Sequence, residues 1–340
     1  MSIYARFVFK ERPQSGALGL RSVLLGEPEG SQVLVKIHSA SICGTDLHVY
    51  KWNAWAARTY QPPFRLGHEF GGTVVAVGPD VTGIKPGDHV TAETHIPCGN
   101  CHQCRLNRRH TCDNLELFSR LGLGCFSDHT LVPAVALRII QRDIPLDHLT
   151  MMEPLGIAVR AVTDASVAGA QVLVLGCGPI GLFAIAAARA YGAASVIASD
   201  LSPYRLQLAE QLGANAVINP EREGLATTTA DVMIETAGSE AAFVDALMHV
   251  RKGGRVVFAS LPDSTFALDI TQHIVLREIT ISGVYGRRID ETWIQVERLL
   301  RAHGSVLAKL LTHRFPLQDF DAAFALAASR DAGKIVLLPN

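Results

Sequence analysis

Four cysteines lie close together in the stretch PCGNCHQCRLNRRHTC. Cys98, Cys101, Cys104 and Cys112 are separated by two, two and seven residues. Four thiolates at such short spacing can surround one tetrahedral ion, and zinc prefers four sulfur ligands in closed structural sites. An iron–sulfur cluster also takes four thiolates and is the alternative metal group. Because no ligand position remains open, the spacing predicts a structural zinc rather than a catalytic one.

Three further segments carry residue types that bind metals. Cys43 lies in SICGTDLH, His68 and Glu69 are adjacent in LGHEFGG, and Glu153 lies in MMEPLG. Taken singly, each has an ordinary structural explanation, since cysteines and lone histidines are commonly buried. Thiolate, imidazole and carboxylate are also the donors of catalytic zinc sites, which keep one position for water or substrate. Only in combination do these residues indicate a second metal site.

A glycine-rich turn, GCGPIG, separates an apolar strand from a helix. The turn follows VLVL, and the next strand ends in an aspartate. Its first glycine allows a tight turn, its second lets backbone approach a pyrophosphate, and its third lets helix and strand pack closely. The aspartate can accept hydrogen bonds from the adenosine ribose and repels a 2′-phosphate, which favours NAD over NADP. The predicted nucleotide contacts are Gly176, Gly178, Pro179, Ile180, Gly181 and Asp200.

Other predicted contacts of the nucleotide lie beyond this turn. Arg205 could bind a phosphate or cover the adenine. Residues that directly follow sheet strands are expected to line the nicotinamide, although an ordinary loop role is an equal alternative. These residues are Ala237, Gly238, Ser260, Leu261, Val284 and Tyr285.

The chain changes character near residue 154. Residues 1–150 are rich in strands and turns, whereas strands and helices alternate afterwards, which predicts an α/β fold with a doubly wound parallel sheet. Residues 165–188 carry no charge and are long enough to span a membrane. Glycines and a proline interrupt this stretch, so a strand, a turn and a helix explain it better.

Composition excludes several classes of protein. The chain has 340 residues, of which 48% are hydrophobic and 19% charged, with a formal net charge of −1. A chain this apolar can bury a large core, and it has no basic field to hold nucleic acid or an anionic membrane. Metal-type cysteine spacing and an N-terminus without an apolar signal core predict a reducing compartment, the cytoplasm.

The order of these motifs resembles a known family. CGTDLH, GHE, the four cysteines, EP and the glycine turn, together with GDHV and GKIVL, are similar to the zinc-containing medium-chain alcohol dehydrogenases. CGTDLHVYKWNAWA, ETHIPCGNC and THRFPLQDFDAAF resemble the threonine dehydrogenases of that family. The resemblance implies NAD-dependent oxidation of a secondary alcohol, a small-molecule substrate, two zinc ions per chain and a homotetramer.

The resemblance also implies a domain division and residue roles. A GroES-like catalytic domain would comprise residues 1–154 and 291–340, with the structural zinc lobe at 95–114, and a Rossmann domain would comprise 155–290. The active site would lie in a cleft between these domains. Cys43 and His68 would bind the catalytic zinc, and Glu69 and Glu153 would act directly or through water. Asp46 would orient His68, Thr45 and His48 would relay the proton, and His95 would contact substrate.

Two positions depart from the threonine dehydrogenases. Ile157 and Arg160 stand where Asn and His are usual, so a polyol, sugar or other amino alcohol is an alternative substrate. A catalytically inactive NAD-binding sensor is an alternative of a different class. A metal-free quinone or enone reductase would lack both the cysteine lobe and GHE.

Overall fold

The computed structural model describes residues 2–225, 228–262 and 265–339. The strands are β1 (Ile3–Lys10), β2 (Leu18–Leu25), β3 (Gln32–Ser41), β4 (Phe64–Arg65), β5 (Glu69–Val77), β6 (His89–Ala92), β7 (His95–Ile96), β8 (Glu116–Leu117), β9 (His129–Pro133), β10 (Leu137–Ile140), β11 (Gln171–Leu175), β12 (Ser195–Ser199), β13 (Ala216–Ile218), β14 (Ala230–Glu235), β15 (Val250–Phe258), β16 (Thr280–Gly283), β17 (Leu311–Pro316) and β18 (Lys334–Leu338). The helices are α1 (Gly44–Lys51), α2 (Ala54–Thr59), α3 (His102–Arg105), α4 (Met152–Ala165), α5 (Pro179–Ala190), α6 (Pro203–Gln211), α7 (Pro220–Glu223), α8 (Glu240–Met248), α9 (Ile270–His273), α10 (Ile289–Leu307) and α11 (Phe320–Ser329).

The chain divides into two compact units. Unit 1 comprises Met1–Glu153, His313–Ser329 and Lys334–Asn340, and unit 2 comprises Pro154–Thr312 and Arg330–Gly333. The sequence predicted a return to the first domain after residue 290, whereas residues 291–312 belong to unit 2. The amphipathic helix α10 explains the difference, because its apolar residues, Val296 and Leu300 among them, are buried and it packs on α5.

Unit 1 is built mainly from antiparallel strands. Its largest sheet has the order β10-β6-β5-β3-β18-β17, and β9 also pairs with β3. The strand β3 pairs with β5 up to Ser41 opposite Glu69, and with β18 at Ser41 opposite Val336. Three segments that are far apart in the sequence therefore meet at the C-terminal end of β3.

Unit 2 contains a six-stranded parallel sheet with the order β13-β12-β11-β14-β15-β16. Residues 172–175 of β11 are buried, as expected of a central parallel strand covered on both faces. The predicted alternation of strands and helices around a parallel sheet is confirmed. The order of strands reverses direction at β11, the strand that precedes the glycine-rich turn.

Local signals in the sequence account for the ends of some helices and not of others. The N-cap of α6 is Ser202, whose Oγ accepts the N–H of Arg205, and Gly213 follows the helix with φ 104°. The segment SEAAFVDALMHVRKGG, residues 239–254, has a helical pattern, but α8 ends at Met248 and β15 begins at Val250. Val250 pairs with Ala230 of β14, so sheet pairing overrides the helical pattern there.

None of the helices in the described parts of the chain is long and apolar enough to cross a membrane. The uncharged stretch 165–188 instead contains β11, the glycine-rich turn and most of α5. Sequence reasoning therefore assigned this stretch correctly.

Candidate metal and nucleotide sites

The four cysteines of the lobe converge on one point. The sulfurs of Cys98, Cys101, Cys104 and Cys112 all lie within 4.8 Å of one another. The Sγ atoms of Cys101 and Cys112 are 3.7 Å apart, and those of Cys112 and Cys98 are 3.5 Å apart. Sulfurs at about 2.3 Å from a tetrahedral zinc are about 3.8 Å from each other, whereas a disulfide bond is about 2.05 Å long. The lobe therefore has the dimensions of a four-thiolate zinc site.

Backbone hydrogen bonds in the lobe also favour the deprotonated form of one cysteine, which is the form that binds a cation. Hydrogen bonds from the backbone of Asn100 and Cys101 lower the pKa of Cys98 to about 6, whereas burial raises the pKa of Cys104 to about 12. The N–H of Asp113 points to the sulfur of Cys101 at 3.5 Å. Thiolates without a cation repel one another, so a bound dication would stabilise the deprotonated set.

A second group of possible ligands forms where the end of β3 lies beside the beginning of β5. Ligand atoms of Cys43, His68 and Glu69 lie within 4.8 Å of one another. Cys43 is the N-cap of α1 and is half-buried, whereas His68 is 8% exposed and Glu69 is fully buried. A thiolate, an imidazole and a carboxylate at this separation fit a zinc ion.

Asp46 supports two members of this group. Its Oδ2 accepts the N–H of Cys43 at 2.9 Å, and its Oδ1 lies 3.7 Å from Nδ1 of His68. Burial disfavours the imidazolium, but Asp46 and Cys43 together raise the pKa of His68 well above its usual value. With Nδ1 turned to Asp46, Nε2 is the nitrogen available to a metal, which is the arrangement common for metal-binding histidines.

Glu69 is held by one oxygen. Its Oε2 lies 2.5 Å from Nζ of Lys334 and accepts the hydroxyl of Ser41 at 2.5 Å. Its Oε1 is buried and has no hydrogen-bond partner among the described residues. A buried oxygen without a donor is unfavourable, and a cation at this position would satisfy it. Sequence reasoning missed Lys334, although it lies in the GKIVL motif.

Glu153 is placed differently from Glu69. Its Oε1 accepts the hydroxyl of Thr94 at 2.8 Å, and it is 5% exposed. It is near enough to raise the pKa of His68, but the group of converging ligand atoms does not include it. The geometry therefore favours Glu69 over Glu153 as the direct carboxylate ligand.

The proton-relay and substrate candidates lie on nearby elements. Thr45 and His48 are on α1, and Nδ1 of His48 is 2.7 Å from Nδ2 of Asn53. The ring of Trp55 meets His48 edge-on at 5.8 Å. His95 begins β7, is 7% exposed, and donates its backbone N–H to Oε1 of Glu93 at 2.9 Å. The roles of these residues stay predictions.

The glycine-rich turn has the geometry that a pyrophosphate cradle requires. Gly176 has φ 89°, and a Cβ there would lie 2.8 Å from the backbone of Ala237. A Cβ on Gly181 would lie 1.9 Å from the carbonyl of Gly176, whereas a Cβ on Gly178 meets nothing within 4 Å. Gly178 is the N-cap of α5, with Pro179 and Ile180 following, so open space lies where N–H groups of the helix end face a ligand.

Asp200 is fixed by the turn itself. Its Oδ2 accepts the N–H of Cys177 at 2.6 Å, and its Oδ1 accepts the N–H of Ser202 at 2.8 Å. Arg205 is partly buried nearby, and its Nε has no partner in the described residues. Burial lowers the pKa of Arg205, which Asp200 opposes. The carboxylate of Asp200 and the guanidinium of Arg205 are therefore close enough to interact electrostatically.

Ile157 and Arg160, which differ from the residues usual in threonine dehydrogenases, both lie on α4. The guanidinium of Arg160 donates to the carbonyls of Tyr285 and Gly286 at 2.7 and 3.3 Å, and its Nε to Asp164 at 3.3 Å. Ile157 is half-buried on the same helix. Arg160 thus tethers the segment after β16, which includes the predicted contacts Val284 and Tyr285.

Comparison with known proteins shows the family of the chain. Residues 29–141 match the model of the alcohol dehydrogenase GroES-like domain, and residues 179–302 match that of zinc-binding dehydrogenases. The L-threonine 3-dehydrogenase of Bacillus licheniformis is 40% identical over 97% of each chain.

Solved structures of alcohol dehydrogenases have the same fold as this chain. An alcohol dehydrogenase of Thermotoga maritima has a TM-score of 0.89 at 27% identity, covering 99% of this chain and 100% of that one. A short chain alcohol dehydrogenase of Escherichia coli, solved with NADH, has a TM-score of 0.87 at 25% identity, covering 98% and 99%. The chain therefore belongs to the zinc-containing medium-chain alcohol dehydrogenases and is of their threonine dehydrogenase type.

Proposed function

We propose that this zinc-dependent dehydrogenase oxidises the secondary alcohol of L-threonine to a ketone with NAD as the hydride acceptor. The observation that carries the proposal is the convergence of Cys43, His68 and Glu69, with one oxygen of Glu69 unpartnered. The similarity to L-threonine 3-dehydrogenases over nearly the whole chain supports the substrate.

Each residue of the site would have a separate role in the reaction. Bound zinc supplies positive charge that lowers the pKa of an alcohol, and bound NAD accepts the hydride. Cys43, His68 and Glu69 hold the metal, and Asp46 fixes the ring of His68. Thr45 and His48 would pass the alcohol proton towards solvent, because a hydroxyl and an imidazole can each accept and donate a proton.

The experiment is NADH formation with purified protein across L-threonine, other amino alcohols, polyols and sugars. Metal analysis accompanies it, and about two zinc ions per chain are expected from two sites of these ligand types. Turnover of L-threonine that chelation removes and zinc restores supports the proposal. An absence of NADH with every alcohol in zinc-loaded protein would favour an inactive nucleotide-binding protein.

A second candidate is oxidation of a polyol or sugar alcohol. It is favoured by Ile157 and Arg160, which differ from the usual threonine dehydrogenase residues. Arg160 nevertheless donates hydrogen bonds to backbone carbonyls of unit 2, so its guanidinium already has partners within the protein. A higher kcat/KM for a polyol than for L-threonine would select this candidate.

The choice of NAD over NADP rests on Asp200. Its carboxylate is held by two backbone N–H groups at the end of β12, where it would meet the adenosine ribose. We expect a 2′-phosphate to be repelled there. Comparison of kcat/KM for NAD and NADP tests the choice.

We also propose a homotetramer and a cytoplasmic location. In the described residues β16 pairs on one side only, with β15, and Ile281 on β16 and Val275 and Leu276 before it are exposed. An edge strand with apolar neighbours favours pairing with a second copy. Light scattering coupled to gel filtration tests the assembly, and cell fractionation tests the location.

A further inference from the structure

Glu235 is a fully buried acidic residue at the end of β14. Ala230 and Met233 on the same strand belong to an apolar core cluster of unit 2. Burial of an ionisable group among apolar side chains is strongly unfavourable unless donors satisfy its oxygens. Neither the predicted metal centres nor the glycine-rich turn uses this carboxyl group, so its presence needs a separate explanation.

Both oxygens of Glu235 act as acceptors. Oε1 accepts the N–H groups of Ala237 and Gly238 at 2.8 and 2.7 Å. Oε2 accepts the hydroxyl of Ser260. Bonds from backbone N–H groups to a carboxylate are stronger than those between neutral groups. The side chain therefore ties the loop after β14 to the loop after β15.

These loops lie at a defined place in the sheet. Both follow strands at the carboxyl edge of the parallel sheet, where ligands of such sheets bind. Asp200 and the glycine-rich turn belong to the half of the sheet formed by β11, β12 and β13, and β14 to β16 form the other half. Because the two halves of a Rossmann fold bind the two nucleotides of a dinucleotide, the second half takes the nicotinamide.

The loop that Glu235 binds is exposed, although Glu235 itself is buried. Ala237 is exposed, and its backbone packs closely against Gly176. The hydroxyl of Thr236 donates to the carbonyl of Gly176 at 2.7 Å. The contacts around Glu235 thus continue from the glycine-rich turn to Ser260, along the path that a dinucleotide would follow.

We propose that Glu235 is a positioning residue for the nicotinamide half of the cofactor. It orients the loop at Ala237 and Gly238 together with Ser260, so that the nicotinamide meets a preorganised surface. The inference rests on the proposed function, because it takes the bound nucleotide to be NAD. It does not depend on which alcohol is the substrate.

The experiment compares two ligands on the zinc-loaded protein. NADH contains the nicotinamide, whereas ADP-ribose lacks it, and both affinities are measured by calorimetry. Glu235→Ala is expected to raise the Kd of NADH about tenfold, since two loops must then be ordered on binding, and to leave the Kd of ADP-ribose within about twofold. Glu235→Gln keeps an acceptor for the two N–H groups and is expected to bind NADH within about threefold of wild type.

A matched control lies on the same strand. Asp231, at the opposite end of β14, accepts the N–H of Gln171 at 2.7 Å and a bond from Arg251 at 2.6 Å. Asp231→Asn is expected to change neither affinity, because it acts at the amino edge of the sheet. Thermal unfolding of all variants accompanies the titrations.

The outcomes separate the inference from the proposed function. Equal loss of NADH and ADP-ribose affinity in folded Glu235→Ala would show that the residue only supports the fold, and the inference would be wrong. Unchanged NADH affinity in that variant would overturn it as well. A wild-type protein that binds neither ligand would refute the nucleotide assignment, and the inference with it.

Discussion

Lys334 and Glu69 form a buried ion pair whose removal gives a quantitative test of the catalytic metal site. Lys334 is 1% exposed and Glu69 is fully buried, with 2.5 Å between Nζ and Oε2. Lys334→Met keeps much of the side-chain volume and removes the charge. Loss of one partner from a buried pair typically costs about 3–5 kcal/mol, since the other charge stays buried. Ser41 still donates to Oε2, so we expect about 3 kcal/mol in the zinc-free protein.

Zinc should reduce this loss. If Oε1 of Glu69 binds the metal directly, the dication replaces much of the compensation that Lys334 provided, and we expect at least about 1 kcal/mol of the loss to be recovered. If no zinc binds beside Glu69, the loss is the same with and without zinc. The comparison therefore tests whether the bound metal faces Glu69.

The assay is urea unfolding of wild type and variant, with the catalytic site either empty or loaded and the cysteine lobe kept zinc-bound. Far-UV dichroism is combined with a probe local to unit 1, because two units need not unfold together. The matched control is Lys36→Met, an exposed lysine on β3, for which we expect a change within about 0.5 kcal/mol. A Lys334→Met protein as stable as wild type without zinc would refute the argument.

Three further substitutions test the remaining assignments. Cys43→Ser should abolish turnover and leave the Kd of NADH within about twofold, because it removes a metal ligand and no nucleotide contact; full activity would count against the metal site. Cys104→Ser should leave about one zinc per chain instead of two and lower thermal stability, as metal analysis and calorimetry would show. Asp200→Gly should shift the NAD to NADP ratio of kcat/KM at least about tenfold towards NADP, and an unchanged ratio would contradict the role of Asp200.

The parts of the sites that the sequence predicted are those with local signals. The four cysteines lie within one short segment, and the glycine-rich turn joins adjacent elements, so spacing alone indicated their geometry. The position of Asp200 was predictable because it directly follows β12, the strand next to β11. Each of these features depends on residues whose relation is set by one or two secondary-structure elements.

The parts that the sequence did not predict depend on distant pairing. Lys334 reaches the carbonyl of Ile42 across 292 residues of chain, because β18 lies beside β3. Glu235 meets Ser260 because β14 and β15 are neighbours, and Thr94 meets Glu153 across 59 residues. Acidic and basic residues in isolation are most often solvated, so nothing local marked these as buried partners. The placement of α10 in unit 2 was missed because an amphipathic pattern shows that one face of a helix is buried and does not show which element covers it.

The charges around the catalytic group lead to an expectation about substrate. Burial raises the pKa of Asp46 and of Glu69, whereas the charge of Lys334 lowers both, and a zinc ion would lower them further. With zinc bound and Cys43 as a thiolate ligand, the negative groups are therefore Cys43, Asp46, Glu69 and Glu153, and the neighbouring cation is Lys334. A zinc ion leaves this neighbourhood about one charge negative, since four negative groups then face three positive charges. An ammonium on the carbon next to the reacting alcohol is therefore favoured there over a neutral group.

L-Threonine and 3-hydroxybutanoate form the matched pair that tests this expectation. Both carry a secondary alcohol and a carboxylate, and only L-threonine carries the ammonium. A site that pairs buried charge with a substrate group rejects the analogue that lacks it, so we expect kcat/KM for L-threonine to be at least about 100-fold higher. Equal values would show that the acidic residues act on the metal alone and that the ammonium is not recognised.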